Sequence, residues 1–261
     1  MYGSNFFNTM VLNTFNGVTA VGAGGLFCGL FISNPGKTGV AGNEVQGAWD
    51  TRQQINFGAP YETELTMNIA NQNDLLWNTA TSDAGTARFI GIFDSAVPGS
   101  GNMWLYGELA VHLDIKANQQ PSVYAGEVMY MASGNFTRVF QTRMLNLLRG
   151  QNINGFTPYW ALFDGDPEET GGELTGGGYV RPEISFNAPT QQAGGQMMIS
   201  NTSDLRFPSP TTPWGLWAWD GIRNAQTGGD IVLKTQNMVP EILQKNYVPI
   251  VYAGEYRTAL N

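Results

Sequence analysis

Cysteine and histidine each occur once in this 261-residue chain. A lone Cys28 allows no intramolecular disulfide and no thiolate metal cluster. Within GLFCGLFI it reads as a small buried apolar residue. A lone His112 excludes any multi-histidine metal site, and its surroundings, AVHLDIK, hold no nucleophile elbow for a Ser-His-Asp or Cys-His arrangement. Charge is also scarce. Only 13% of residues are charged, with Lys and Arg numbering 13 against 21 Asp and Glu, and no basic run occurs. Phosphate recognition needs clustered cations, so the net charge of −8 argues against nucleic acid as a partner and against a polybasic membrane contact. Long apolar runs are missing too. VTAVGAGGLFCGLFI is too short and glycine-rich to span a bilayer, and MYGSNFFNTM lacks the basic start of a signal peptide. The expectation is a protein kept without classical export.

What the chain does hold is glycine (33 residues), aromatics (12%) and an apolar fraction of 42%, enough for ordered cores. With many Asn, Gln and Thr, that mixture suits short strands joined by tight turns.

The stretch PSVYAGE (121–127) returns as PIVYAGE (249–255), and the rest of the chain aligns in the same order. Residues 29–60 match 161–189 through Leu30/Leu162, Phe31/Phe163, Glu44/Glu173, Gly47/Gly176, Arg52/Arg181, Phe57/Phe186 and Pro60/Pro189. MNIANQNDL (67–75) meets MMISNTSDL (197–205), GIFDSAVPGSGNMWL (91–105) meets GIRNAQTGGDIVL (221–233), and LNTFNG (12–17) meets LNLLRG (145–150). The chain is therefore a tandem duplication, with units at 1–131 and 132–261. Each unit reads as a short amphipathic helix, RVFQTRMLNLLRG in the second copy with Gly150 as its C-cap, followed by short strands. Those strands are YWALF, YVRPEISF, QMMIS, LRF, GLWAWDGI, DIVLKTQ and a closing IVYAGE. Two similar mainly β domains are expected, each a β-sandwich or partly closed barrel preceded by a short helix. In the closing strand, Tyr124 and Tyr252 would face away from their Val and Ala neighbours, with Glu127 and Glu255 near the strand end.

Several stretches invite a functional reading. DGDPEETGGE (164–173) offers clustered oxygen ligands, yet the aligned loop of the first copy keeps only Glu44, so a solvated acidic turn is expected there. NPGKTG (34–39) lacks the earlier glycine of a phosphate loop and reads as a turn. Glu44, Glu173, Glu127 and Glu255 could supply the paired acids of a glycosidase. Their presence in both copies, with Arg52 and Arg181 equally repeated, points instead to structural positions. No catalytic residue, metal or cofactor is expected. PWGLWAWDGI (213–222) holds Trp214, Trp217 and Trp219. By alternation Trp217 and Trp219 share one strand face, as core or as a sugar-stacking or interface patch private to the second copy.

The second copy resembles a family of small bacteriophage virion proteins described as tail-fibre or minor tail proteins. The resemblance rests on YWALFDGDPEETGGELTGGGYVRPEISFNAP followed by SNTSDLRFPSPTTPWGLWAWDGIRNAQTGGDIVL, most of residues 140–235. The first copy departs further, with GAWDTRQQ in place of the glycine-rich run. The resemblance implies a non-enzymatic particle component, assembled in the bacterial host cytoplasm and placed in the tail, baseplate, fibre or neck. A capsid decoration protein and a host-glycan-binding module are the alternatives. Its partners would be other virion proteins of the tail, portal or capsid, with a homo-oligomer, trimer or hexamer, as the assembled form. A trimer of two-unit chains would offer six similar surfaces to a sixfold ring, which requires the units to be related by roughly 60°.

Overall fold

A computed structural model describes residues 1–261 apart from 41, 46–50, 65 and 133. Each copy opens with one helix, α1 (Asn5–Asn13) or α2 (Arg138–Leu147). Their starts are set by N-caps: Ser4 Oγ accepts the Phe7 N–H at 3.1 Å and Thr137 Oγ1 accepts the Phe140 N–H at 3.4 Å. Phe7, Val11 and Leu12, and likewise Phe140, Met144 and Leu145, recur at helical spacing and are buried. Gly17 and Gly150, with φ of 77° and 80°, turn the chain after these helices in the left-handed region that glycine enters without strain.

Three antiparallel strands form the main sheet of each copy: β1 (Leu26–Phe31), β2 (Gly85–Phe93) and β3 (Met103–Ile115), then β4 (Tyr159–Phe163), β5 (Gly215–Arg223) and β6 (Ile231–Leu243). β2 and β5 lie at the centres. The first copy adds Tyr2–Gly3 beside β3 and Gln53–Ile55 beside β1, giving five strands. In the second copy YVRPEISF forms no strand. Pro158 and Pro182 lack the N–H groups that a ladder with β4 would need, and one bridge, Tyr159 to Glu183, remains. The fold is mainly β, with several open sheets and, among the described residues, no closed barrel. A smaller sheet completes each copy: Tyr61–Thr63, Thr66–Ala70 and Met129–Met131 in the first, Thr190–Gln191, Met197–Ser200 and Arg257–Leu260 in the second.

The helices are shared between the copies. α1 packs on β3 of its own copy and on Met197–Ser200 and Arg257–Leu260 of the other, while α2 packs on β6 and on Thr66–Ala70. One apolar core runs continuously from Phe7 to Leu260.

The contacts between the copies are reciprocal. Ala20 and Ile153 occupy the same position, three residues past LNTFNG and LNLLRG, and they pair with each other. Ala20 N–H donates to the Ile153 carbonyl and Ile153 N–H to the Ala20 carbonyl, both at 2.9 Å. Ala23 N–H bonds the Leu147 carbonyl at 2.9 Å, and its equivalent Phe156 N–H bonds the Thr14 carbonyl at 3.0 Å. Gly22 N–H donates to Asn152 Oδ1 and Gly155 N–H to Thr19 Oγ1. Asn5 donates to Gln191, while Arg138 donates to Glu62 at the matching place. Contacts in which i meets j′ and j meets i′ require an operation that is its own inverse, a two-fold. The units are thus related by a two-fold rather than by the rotation of roughly 60° expected for a sixfold ring.

Close approach at this axis depends on glycine. A Cβ on Gly155 would stand 2.1 Å from the Gly17 carbonyl group, and one on Gly22 would stand 2.3 Å from the Gly150 carbonyl carbon. Gly155→Ala should therefore lower unfolding free energy by more than about 2 kcal/mol in chemical denaturation. Gly194→Ala, whose Cβ meets nothing within 4 Å, should change it by less than about 0.5 kcal/mol.

Candidate functional site

Each copy buries one arginine–glutamate clamp beside its main sheet. Arg52 holds Glu44 through Nε at 2.6 Å and Nη2 at 2.9 Å, and its Nη1 donates to the carbonyls of Ser95 and Ser100. Arg181 holds Glu173 at 2.5 and 2.7 Å, with Nη1 on the carbonyls of Ala225 and Gly228. Both arginines thus tie the β2–β3 or β5–β6 turn to the loop that carries the glutamate. Nearly every guanidinium N–H is satisfied inside the protein, which leaves little to offer a ligand. The clamps differ in one place. Phe93 lies under Arg52, 3.5 Å from ring centroid to guanidinium carbon. Arg223 stands at the same position in the second copy and adds a second cation to Glu173 at 2.7 Å. Gly47, aligned with Gly176, lies outside the described residues.

The repeated YAGE is a turn rather than the end of a strand. Pairing stops at Val123 and Val251, and Gly126 and Gly254 take φ of 87° and 82°. Glu127 accepts the Tyr124 N–H at 2.8 Å and Glu255 the Tyr252 N–H at 3.0 Å, closing each turn on itself. Buried Asn71 and Asn201 brace it from beneath: each donates to the tyrosine carbonyl and accepts the N–H of Val128 or Tyr256. Asp74 and Asp204 accept from Ala125 and Ala253. Tyr124 and Tyr252 project outward. The bracing Asn and Asp were missed in the sequence, although both repeat at matched places in NQND and NTSD.

The acidic loop of the second copy is tied down. Asp166 and Glu168 receive Lys234 at 2.7 and 3.0 Å, and Glu168 also faces Arg138 of α2. Those ion pairs correct the expectation of a solvated turn. Among the described residues no group of three or more potential ligands could hold a metal ion, and no helix is long and apolar enough to cross a membrane. Cys28 is fully buried, which pushes its thiol far up. His112 is exposed on β3, 3.3 Å from Glu108.

The three tryptophans separate. Trp214 is buried against Tyr179 and Phe207. A register shift between Trp217 and Trp219 breaks the alternation that would put them on one face. Trp217 packs on Trp160 in the core, and Trp219 lies beside Lys234. Between them, Asp220 accepts the Trp160 indole N–H at 2.6 Å, where the first copy has buried Ile90. Burial pushes the Asp220 carboxyl up to about 6, and the hydrogen bond from the Trp160 indole opposes the rise.

Two copies of one β-rich unit, closed on each other about a two-fold, make this a duplicated structural module. A family model described as Podophage GP4 fiber I protein gp80 matches it twice, over residues 3–130 and 135–258. The chain belongs to that family of phage fibre proteins, and its place is in the virion. No curated protein matches the chain.

Two outcomes test the electrostatics. Arg52→Leu strands buried Glu44 and should cost about 3–5 kcal/mol in urea unfolding; Arg181→Leu should cost less, because Arg223 remains on Glu173. Asp220 binds its proton more tightly folded than unfolded, so its contribution to stability is highest below about pH 4 and falls as pH rises to about 6. Asp220→Asn should remove that slope and raise stability at pH 7 by on the order of 2 kcal/mol.

Proposed function

We propose that the chain is a non-enzymatic structural component of the phage tail, working in a fibre or at the baseplate or neck to which a fibre attaches. The observation that carries this reading is the fibre-family match over both copies. The interior supports it: the polar residues kept in both copies serve clamps and turns, and none converges on an open cleft with a free acid–base pair. In this reading the units meet between residues 131 and 132, a division supported by the end of the Met129–Met131 strand there. Partners are other virion proteins of the tail or portal, met after synthesis in the host cytoplasm. Assembly as a trimer or hexamer rests on the fibre class alone, because the internal two-fold removes the sixfold argument.

Quantitative mass spectrometry of purified particles, combined with cryo-electron microscopy, tests the proposal. Copy numbers in small multiples of three or six, with density on the tail, are the expected result. Hundreds of copies over the head would make the chain a capsid decoration protein, and absence from particles would overturn the structural reading.

A further inference from the structure

The duplication has given the two copies differently lined clefts at matched positions: Met1, Tyr2, Gly107 and Glu108 border one of about 500 Å³ in the first. There, Tyr106 lies at the register position beside Gly91, and Tyr2 packs on it with tilted rings, centroids 5.8 Å apart. Phe89 packs against the small apolar cluster that includes Tyr106. The second copy places Lys234 beside Gly221, Asn135 where Tyr2 stands and Trp219 where Phe89 stands. Two aromatic plugs have become polar, and the aromatic floor has grown larger. The result is a cleft of about 630 Å³ between the copies, with half-buried Trp219 on one wall, within the roughly 300–1,000 Å³ of small-molecule sites.

The polar groups around Trp219 restrict what can bind. Lys234 and Arg138 are the nearby cations, and both are held by carboxylates: Lys234 by Asp166 and Glu168, Arg138 by Glu168 and Glu62. No positive charge is left for a phosphate or an acidic sugar. The exposed side chains of Gln236 and Glu169 make no hydrogen bond among the described residues, and Asn135 makes only a 3.4 Å contact with Thr235. An amide pair and a carboxylate, all with unused capacity, therefore rim a flat indole. A wholly apolar ligand would strip water from these groups without replacing it. A ligand with one apolar face and a ring of hydroxyls satisfies both surfaces.

We propose that this cleft binds a neutral pyranose sugar, its C–H face stacked on Trp219 and its hydroxyls bonded to Gln236, Asn135 and Glu169. The proposal stands on the cleft itself and holds wherever in the particle the chain resides. The indole wall is private to the second copy, since Phe89 stands at its place in the first.

Saturation-transfer difference NMR on the full chain tests this, with methyl glucopyranoside, galactopyranoside and mannopyranoside and with N-acetylglucosamine as probes. At least one sugar should receive transfer, strongest on the protons of one ring face, with saturable millimolar affinity. Trp219→Ala should weaken it about ten-fold or more, Trp219→Phe less, and Gln236→Ala several-fold, while Leu216→Ser, at an exposed position of β5 outside the cleft lining, should leave it unchanged. Circular dichroism checks that each variant folds; should Trp219→Ala not fold, Gln236→Ala and Trp219→Phe carry the test. No transfer from any of the four sugars would overturn the proposal. So would transfer of undiminished strength in the folded variants at Trp219 and Gln236, which would place the sugar elsewhere.

Discussion

One short contact governs the architecture: the antiparallel bridge between Ala20 and Ile153, made by the same position of both copies. Residues that pair with their own equivalents lie at a two-fold axis, and every neighbouring contact must then appear twice. Gly22 against Gly150 and Gly155 against Gly17 bring the backbones close enough for that bridge. The exchange of helices follows, because the chain leaving each helix turns at the axis and leaves the helix under the other copy's small sheet. Neither copy closes its own core; Phe15 meets Phe136, Phe140, Phe156 and Phe186 across the join.

Duplication then frees the positions away from the axis to diverge. The clamps and YAGE turns are kept in both copies, where each satisfies buried or half-buried polar groups. Around them the copies part: Phe93 stacks where Arg223 pairs, Ile90 fills where Asp220 titrates, and Tyr106 plugs where Lys234 leaves room. The second copy has thus accepted charged groups at positions that the first keeps apolar or aromatic. That is a cost in stability, and the cleft at Trp219 is what lies beside it.

Much of this was legible in the sequence, and the failures have physical causes. Internal alignment found the repeat, the helices and the strands YWALF, GLWAWDGI and QMMIS, since apolar periodicity reports burial directly. It singled out Arg52 with Glu44 and Arg181 with Glu173 as structural positions, and the structure joins them as pairs. YAGE was misread because Val-Tyr-Ala alternates like a strand, whereas the glycine needing positive φ marks a turn. YVRPEISF alternates too, but Pro182 has no N–H to give a ladder. Trp217 and Trp219 parted because a bulge cannot be seen in a two-residue period. The two-fold was beyond reach: an alignment says which residues are equivalent and nothing of whether equivalents touch.

The exchanged helices also set the order in which the molecule can be completed. α1 leaves the ribosome well before two of its packing partners, Met197–Ser200 and Arg257–Leu260, are made. Phe7, Val11 and Leu12 have no finished seat while translation runs, so a nascent first copy exposes an apolar helix that chaperones or neighbouring nascent chains can engage. Contacts of such sequence separation slow folding. The second half of this chain thus supplies part of the seat for α1, and a chain that stops midway leaves α1 without the small sheet of the second copy.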